Sequence, residues 1–210
     1  TLVTGLRPDH HGIIHNSMSA EDLGDFRLTD RDAMSNPAWW GGEPIWVGVE
    51  KAGDASAVWA WPGSAAPIAG VQARQSHPYD ETVPLPERMR QLRGWLQGLP
   101  DGQKPRLVAA YLEQLDQTGH SHGPDSPEYA ATLQAVDAAI GQLLDGLKRD
   151  GLLNATNIII VSDHGMATVK QGHVVATEDM VAPDIATEVS VGQSVGFAPQ
   201  PGREQEAERA

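Results

Sequence analysis

RLVAAYLEQLD (residues 106–116) and NIIIVSDHGM (residues 157–166) are the two stretches that decide the fold. Each begins with a short apolar run of the kind that forms a β-strand buried on both faces. We therefore predict strands over residues 106–112 and 157–162. Each strand leads directly to polar side chains that could carry chemistry.

A long amphipathic helix is predicted between the two strands. Ser126 is a suitable N-cap and Pro127 a suitable first helical residue, while Gly151 ends the segment. The apolar positions on its predicted inner face are Leu133, Val136, Ile140, Leu143 and Leu147. A helical crossover of this length returns the second strand parallel to the first. The predicted fold class is therefore α/β, with a mostly parallel sheet flanked by helices.

The remaining elements are predicted more coarsely. Apolar spacing indicates helices over residues 42–53 and 85–99. A short apolar run before a Pro-Gly turn indicates a strand over residues 57–61. Loops and short strands are expected over residues 174–199.

Two acid–histidine pairs are predicted to meet at one edge of the sheet. Asp116 is followed by His120, and Asp163 by His164. Open α/β sheets bind their ligands at the carboxyl ends of parallel strands, where both pairs are expected. Alone, either pair has an ordinary interpretation, as a polar turn or as a helix cap beside an exposed histidine. Together they fit a binuclear centre with two cations about 3.5–4 Å apart.

The type of side chain restricts the metal. The chain has no cysteine, so only oxygen and nitrogen donors are available. This donor set suits zinc best, followed by manganese or iron, and it disfavours calcium because imidazole is included. We therefore predict two zinc ions.

Composition limits the partners. The 210 residues, 40% of them hydrophobic, are sufficient for one domain with a substantial core. With 15 basic and 28 acidic residues the net charge is −13, which argues against long nucleic acid as a partner. A small anionic substrate is compatible with this charge if bound cations attract it. No apolar run approaches the ~18 residues of a membrane span.

Four motifs, in this order, carry a family resemblance. They are TLVTGLRPDHHGIIHN (1–16), WPGS (61–64), DQTGHSHGP (116–124) and VSDHGM (161–166). The sequence closely resembles the nucleotide pyrophosphatase/phosphodiesterase family of the alkaline phosphatase superfamily, particularly its bacterial members. The resemblance implies an alkaline-phosphatase-like fold.

The resemblance also implies roles for individual residues. Asp116 and His120 would be ligands of one zinc ion, and Asp163 and His164 ligands of the other. Asn16 corresponds to an asparagine that donates a hydrogen bond to a phosphate oxygen.

Two further roles concern the substrate and the nucleophile. Tyr111 corresponds to an aromatic residue that stacks on the nucleotide base, although its spacing fits an ordinary core tyrosine nearly as well. The family's nucleophilic threonine precedes the position of Thr1, so neither Thr1 nor Thr4 is assigned that role. A further aspartate ligand and a further histidine ligand are also not matched. Residues 1–210 are therefore expected to be a single catalytic domain, incomplete at both ends and inactive alone.

The implied reaction is the hydrolysis of nucleotide phosphodiester and pyrophosphate bonds through a covalent phospho-threonine, releasing nucleoside 5′-monophosphates. Expected substrates are nucleoside triphosphates, dinucleotides and nucleotide diesters, and the expected location is periplasmic or extracellular. One alternative is another hydrolase of the superfamily, acting on phosphomonoesters, phosphonates, sulfates or choline phosphodiesters. A second alternative is an inactive metal-binding fragment.

Overall fold

The computed structural model describes residues 1–170, 172–192 and 194–209. The helices in chain order are α1 (Pro8–His11), α2 (Arg31–Ser35), α3 (Ile45–Lys51), α4 (Leu85–Gln97), α5 (Gln114–His122), α6 (Pro127–Arg149) and α7 (Glu204–Ala207). The strands are β1 (Ser17–Ala20), β2 (Gly24–Arg27), β3 (Ala55–Trp59), β4 (Gln75–His77), β5 (Pro105–Ala110), β6 (Ala186–Ser190) and β7 (Gly196–Pro199). Short 3₁₀ turns occur at Pro37–Trp39, Leu153–Ala155 and Thr177–Asp179.

The described chain divides into two units, which we treat separately. The larger unit comprises residues 2–5 and 43–168, and the smaller one comprises Thr1, residues 6–42 and residues 169–210. Most of the motifs singled out in the sequence belong to the larger unit, whereas Asn16 belongs to the smaller one.

A parallel sheet in the order β4-β3-β5 forms the centre of the larger unit. β3 lies in the middle and is buried along its whole length. In the register of β3 with β5, Trp59 is opposite Ala110, so the two strands end at the same edge. The predicted strands over residues 57–61 and 106–112 are confirmed, with ends shifted by about two residues. The α/β class with a parallel sheet is confirmed as well.

Helices α4 and α6 pack against this sheet and bury its apolar residues. The core combines small residues and Trp59 of β3 with one face of α4 and Ala139 of α6. The buried residues on the α4 side are Met89, Leu92, Trp95 and Leu99. A buried side chain of this size contributes about 1.5–3 kcal/mol. The predicted apolar stripe over residues 85–99 is therefore confirmed as the main packing surface of α4, and the predicted helix over residues 42–53 is present as α3.

Helix α6 begins where its sequence signals predict. The Ser126 hydroxyl accepts a hydrogen bond from the Tyr129 amide at 3.1 Å, which satisfies one of the free amides at the helix start. Val136 and Leu147 are buried, as expected from the apolar pattern. Leu133 is 51% exposed, so it does not belong to the buried face that the pattern predicted.

The predicted strand over residues 157–162 is wrong. These residues have no strand ladder, and Ile159 and Ile160 are 84% and 67% exposed. The only strand that β5 pairs with in the described residues is β3, so the expected parallel pairing across the α6 crossover does not form. A β-branched run favours a strand only where a neighbour supplies hydrogen bonds and cover, and the described residues supply neither here.

The smaller unit contains antiparallel pairs. β1 pairs with β2, and β6 pairs with β7, which confirms the expected short strands within residues 174–199. Phe26 and Trp39 anchor the first pair, with their ring centroids 5.4 Å apart. None of the helices in the described ranges combines the length and the apolar character needed to cross a membrane.

A pair of leucine substitutions tests which face of α6 is buried. Leu147 is 1% exposed, so Leu147→Ala should lower the free energy of unfolding by about 2–4 kcal/mol through lost burial and a residual cavity. Leu133→Ala, on the same helix, should change it by no more than about 0.5 kcal/mol. Urea unfolding followed by circular dichroism measures both. Equal losses would contradict the burial described for α6.

Candidate metal centre

The first acid–histidine pair lies on a helix and not in the polar turn suggested by the sequence. Asp116 is in the first turn of α5 and His120 in its last turn. Side chains four residues apart on a helix lie on the same face, and here Asp116 Oδ1 is 3.5 Å from His120 Nε2. Gly123, with φ of 86°, ends the helix. The spacing of four in the sequence is the signal that could have revealed this arrangement.

The strand β5 delivers the chain to this helix. β5 ends at Ala110, and the Tyr111 amide then donates to the Trp59 carbonyl at 3.0 Å, which ties it to the end of β3. Three residues later α5 begins. The WPGS segment (61–64) follows β3 at the same edge of the sheet. The carboxyl edge of the parallel sheet therefore carries both motifs, as open α/β sheets generally arrange their ligand sites.

The second pair approaches the first directly. His164 Nε2 is 3.5 Å from Asp163 Oδ2 and 3.9 Å from Asp116 Oδ1. One imidazole nitrogen is thus close to the carboxylates of both pairs. The structure brings together all four residues singled out in the sequence, although residues 157–162 form no strand.

The hydrogen bonds of His164 leave one ring nitrogen for a cation. Nδ1 lies 2.9 Å from the Gly165 carbonyl, and since a carbonyl only accepts, Nδ1 carries the proton. In the neutral ring, Nε2 is then unprotonated and faces the carboxylates. This bond, followed by the charges of Asp163 and Asp116, raises the pKa of His164 above its ordinary value. Protonation of His164 is therefore favoured at this position.

The ligand atoms are exposed and arranged as pairs. The side chains of Asp163, His120 and His164 are each 58–59% exposed, and that of Asp116 is 37% exposed. Within the described residues, no group of three or more His, Asp or Glu side chains is arranged to hold an ion. Each pair by itself thus supplies two donors of the oxygen and nitrogen kind that zinc accepts.

Gly119 allows the two pairs to approach each other. It is buried in α5 between Asp116 and His120, and a β-carbon placed on it would lie 2.8 Å from Cε and 3.1 Å from Cγ of Met166. The same β-carbon would lie 3.2 Å from Tyr129 of α6. The segment that follows Asp163 and His164 therefore packs directly on the helix that carries the other pair.

Tyr111 lies beside the four residues and is half-buried. Burial, followed by the negative charges of Asp116 and Asp163, raises the pKa of its hydroxyl to about 12. The hydroxyl therefore stays protonated at neutral pH and can donate a hydrogen bond. Its location fits a residue that faces a substrate, and stacking on a base stays a prediction.

Asn16 is exposed, immediately before β1 in the smaller unit. Its carbonyl accepts from the Leu28 amide at 2.9 Å, so its backbone is tied to the residue that follows β2. Its contact with a phosphate oxygen also stays a prediction.

Sequence reasoning assigned no role to two residues at the border of this site. Tyr79 is 47% exposed, and its hydroxyl accepts a hydrogen bond from Gln117 of α5 at 3.0 Å. Met166 packs on Gly119, as described above. Neither contact leaves a signal in the sequence, because each depends on how α5 is placed against a distant segment.

Comparison with known proteins identifies the family. The sequence model of the type I phosphodiesterase / nucleotide pyrophosphatase family matches residues 1–210. The chain belongs to this family.

Relatives within the type I phosphodiesterase / nucleotide pyrophosphatase family are much longer. A venom phosphodiesterase of Macrovipera lebetinus is 41% identical over 170 residues, which are 80% of this chain and 20% of that protein. The human ectonucleotide pyrophosphatase/phosphodiesterase family member 1 is 42% identical over 167 residues, which are 79% of this chain and 18% of that protein. These relatives are eukaryotic, so a particular likeness to bacterial members is not supported.

Solved structures in the family confirm the fold. Murine ectonucleotide pyrophosphatase/phosphodiesterase 5 matches with a TM-score of 0.88 and 31% identity, over 100% of this chain and 55% of that one. That protein was solved as an inactive variant, with one threonine replaced by alanine, in complex with AMP. The chain thus has the alkaline-phosphatase-like α/β fold expected from its motifs.

A substitution at Gly119 tests the close approach of the two pairs in this family member. Gly119→Ala forces Met166 to move, so it should cost about 1–3 kcal/mol of stability by overpacking and should also weaken zinc binding. Gly141→Ala is the matched control, because Gly141 lies inside α6 with no atom within 4 Å of an added β-carbon. It should gain about 0.5–1 kcal/mol from helix propensity. Urea unfolding measures the stability of both variants, and zinc titration measures their zinc affinity. If Gly119→Ala has the same stability and zinc affinity as Gly141→Ala, the packing described for Gly119 is wrong.

Proposed function

We propose that the protein containing these residues hydrolyses nucleotide phosphodiester and pyrophosphate bonds. The observation that carries the proposal is the convergence of Asp116, His120, Asp163 and His164, with Asp116 and Asp163 both within 4 Å of one histidine nitrogen. Membership in the type I phosphodiesterase / nucleotide pyrophosphatase family supports the same class of reaction.

Two zinc ions are the proposed cofactors, with manganese or iron as the next candidates. Asp116 and His120 would hold one ion, and Asp163 and His164 the other. The residues fit this role because their donors are oxygen and nitrogen without sulfur and because Nε2 of His164 is left free by the bond of Nδ1 to Gly165. When bound, zinc supplies positive charge that lowers the pKa of a nucleophile and stabilises a leaving oxygen.

The chain's own residues would bind and orient the substrate. Asn16 would donate a hydrogen bond to a non-bridging phosphate oxygen as negative charge develops there. Tyr111, whose hydroxyl stays protonated, would border the nucleotide and stack on its base. Both roles rest on the motifs that surround these residues.

The nucleophile in this proposal is a threonine outside residues 1–210. Its oxygen would attack phosphorus, the alcohol or phosphate leaving group would depart, and water would then release a nucleoside 5′-monophosphate from the phospho-threonine. The inactivity of the murine relative with one threonine replaced by alanine supports this route, and so does the AMP bound to it. A periplasmic or extracellular location is part of the proposal.

The proposed substrates are small nucleotides: nucleoside triphosphates, dinucleotides and nucleotide diesters. The net charge of −13 disfavours long nucleic acid, because its phosphates would need many basic partners. A competing proposal is an inactive metal-binding fragment. It has one observation in its favour, namely that no three suitable side chains in the described part of the chain are arranged to hold an ion.

Paired kinetics on the full-length protein test the reaction class. A nitrophenyl nucleotide diester should be hydrolysed with a kcat/KM at least about 100-fold above that of nitrophenyl phosphate, since nucleotide binding contributes only to the former. Chelation should abolish the activity and added zinc should restore it. In the Asp163→Asn variant, added zinc should not restore diester hydrolysis after chelation. Preference for the monoester would assign the protein to another hydrolase class, and diester turnover by isolated residues 1–210 would refute the external nucleophile.

A further inference from the structure

A buried ion pair lies at the start of α5, the helix that carries Asp116 and His120. Arg88 of α4 is 1% exposed and Glu113 is 3% exposed. Nη1 and Nη2 of Arg88 donate to the two carboxylate oxygens of Glu113 at 2.6 and 2.7 Å. This two-pronged geometry fixes the orientation as well as the distance of the two groups, which a lysine could not do.

The remaining donors of Arg88 hold a loop. Nε donates to the Val83 carbonyl at 2.8 Å, and Nη2 also donates to the Asp80 carbonyl at 3.0 Å. Both carbonyls belong to residues 78–84, between β4 and α4. Arg88 therefore connects Glu113 to this loop through four hydrogen bonds.

Glu113 is placed where a small shift would move the metal ligands. It immediately precedes α5, whose first turn contains Asp116, and its carbonyl accepts from the Gln117 amide at 3.1 Å. Its side chain does not cap α5, because it is directed towards Arg88. Glu113 thus sets the start of α5, and through it the face that carries Asp116 and His120.

The loop held by Arg88 borders the same site. It carries Tyr79, whose hydroxyl accepts from Gln117 of α5 at 3.0 Å. Asp80, the next residue, accepts from the amide and the hydroxyl of Thr82 at 2.9 and 2.6 Å, which fixes the turn. Gln117 also donates to the Glu81 carboxylate of this loop at 3.2 Å. The loop and α5 are therefore joined at the surface through Gln117, and below it through Arg88 and Glu113.

A gain in stability alone does not explain why Arg88 and Glu113 form a buried ion pair. Removing two charges from water costs free energy that their attraction barely offsets, and apolar replacements of similar volume are often as stable. Arg93 of α4 forms a second bidentate pair, with Asp150, at 2.6 Å for both bonds. That pair is more exposed and joins α4 to the end of α6, away from Asp116. Arg93 is therefore a control for Arg88 on the same helix.

We propose that Arg88 and Glu113 are positioning residues, which hold α5 and the Tyr79 loop in the arrangement needed for metal and substrate binding. Neither side chain touches the substrate or an ion. Their effect is exerted through Asp116 and His120 on one side and Tyr79 on the other. The expected effect on substrate binding rests on the proposed function. The expected effect on zinc binding concerns only the four ligand residues.

The test compares Arg88→Lys with Arg93→Lys in the full-length protein. Zinc affinity is measured on the metal-free protein by competition with a chromophoric chelator, and KM and kcat are measured on a nitrophenyl nucleotide diester. Arg88→Lys should weaken zinc binding about tenfold and raise KM by a similar factor, within the range found for residues that support metal ligands. Arg93→Lys should lower the melting temperature and leave zinc affinity and KM unchanged.

Glu113→Gln keeps the shape of the side chain and serves as the second variant if Arg88→Lys does not fold. It should show the same weakening of zinc binding. Equal zinc affinity and KM for the Arg88 and Arg93 variants would overturn the inference and leave the proposed function intact. If neither the Arg88 nor the Glu113 variant folds while Arg93→Lys does, the pair is structural and the inference is also overturned. Absence of diester hydrolysis by the wild-type protein would refute the proposed function, and the zinc comparison would still decide the inference.

Discussion

The site depends on the parallel pairing of β3 with β5. Because Trp59 and Ala110 are opposite each other at the ends of these strands, the chain leaves the sheet at a defined edge. The bond from the Tyr111 amide to the Trp59 carbonyl extends this pairing by one residue. The helix α5 begins three residues later, and its position determines the face that carries Asp116 and His120. The buried core between β3 and α4 holds the two strands in this register.

A second constraint joins the two ligand pairs. The absence of a side chain at Gly119 allows Met166 to pack against α5, and this contact brings Asp163 and His164 to the same place as Asp116. Carboxylates gathered in an acidic protein repel one another unless cations or protons compensate for them. The bond to the Gly165 carbonyl is the largest cause of the raised pKa of His164, and the charges of Asp163 and Asp116 add to it. The divalent cations proposed above would provide this compensation.

The local sequence patterns predicted most of the larger unit. The cap at Ser126, the stripe of α4 and the apolar run of β5 are determined by residues close in sequence, and all three are present. Failures occurred where the outcome depends on a distant partner. The run over residues 157–162 has the composition of a strand but forms no ladder in the described residues, since β-propensity does not itself provide a neighbour. Leu133 follows the apolar pattern of α6 and is nevertheless 51% exposed, because the pattern does not show which positions a neighbouring element covers. For the site, the sequence identified the four side chains that converge, but not the helix beneath Asp116 or the ion pair formed by Arg88 and Glu113.

The central claim is that these four residues hold two ions, and anomalous diffraction from crystals of the full-length protein grown with zinc tests it most directly. Data collected on either side of the zinc absorption edge locate the ions without reference to any mechanism. The account predicts two anomalous peaks about 3.5–4 Å apart, one bonded to Asp116 and His120 and the other to Asp163 and His164. Peaks bound by other residues, or the absence of any peak at these four, would contradict it.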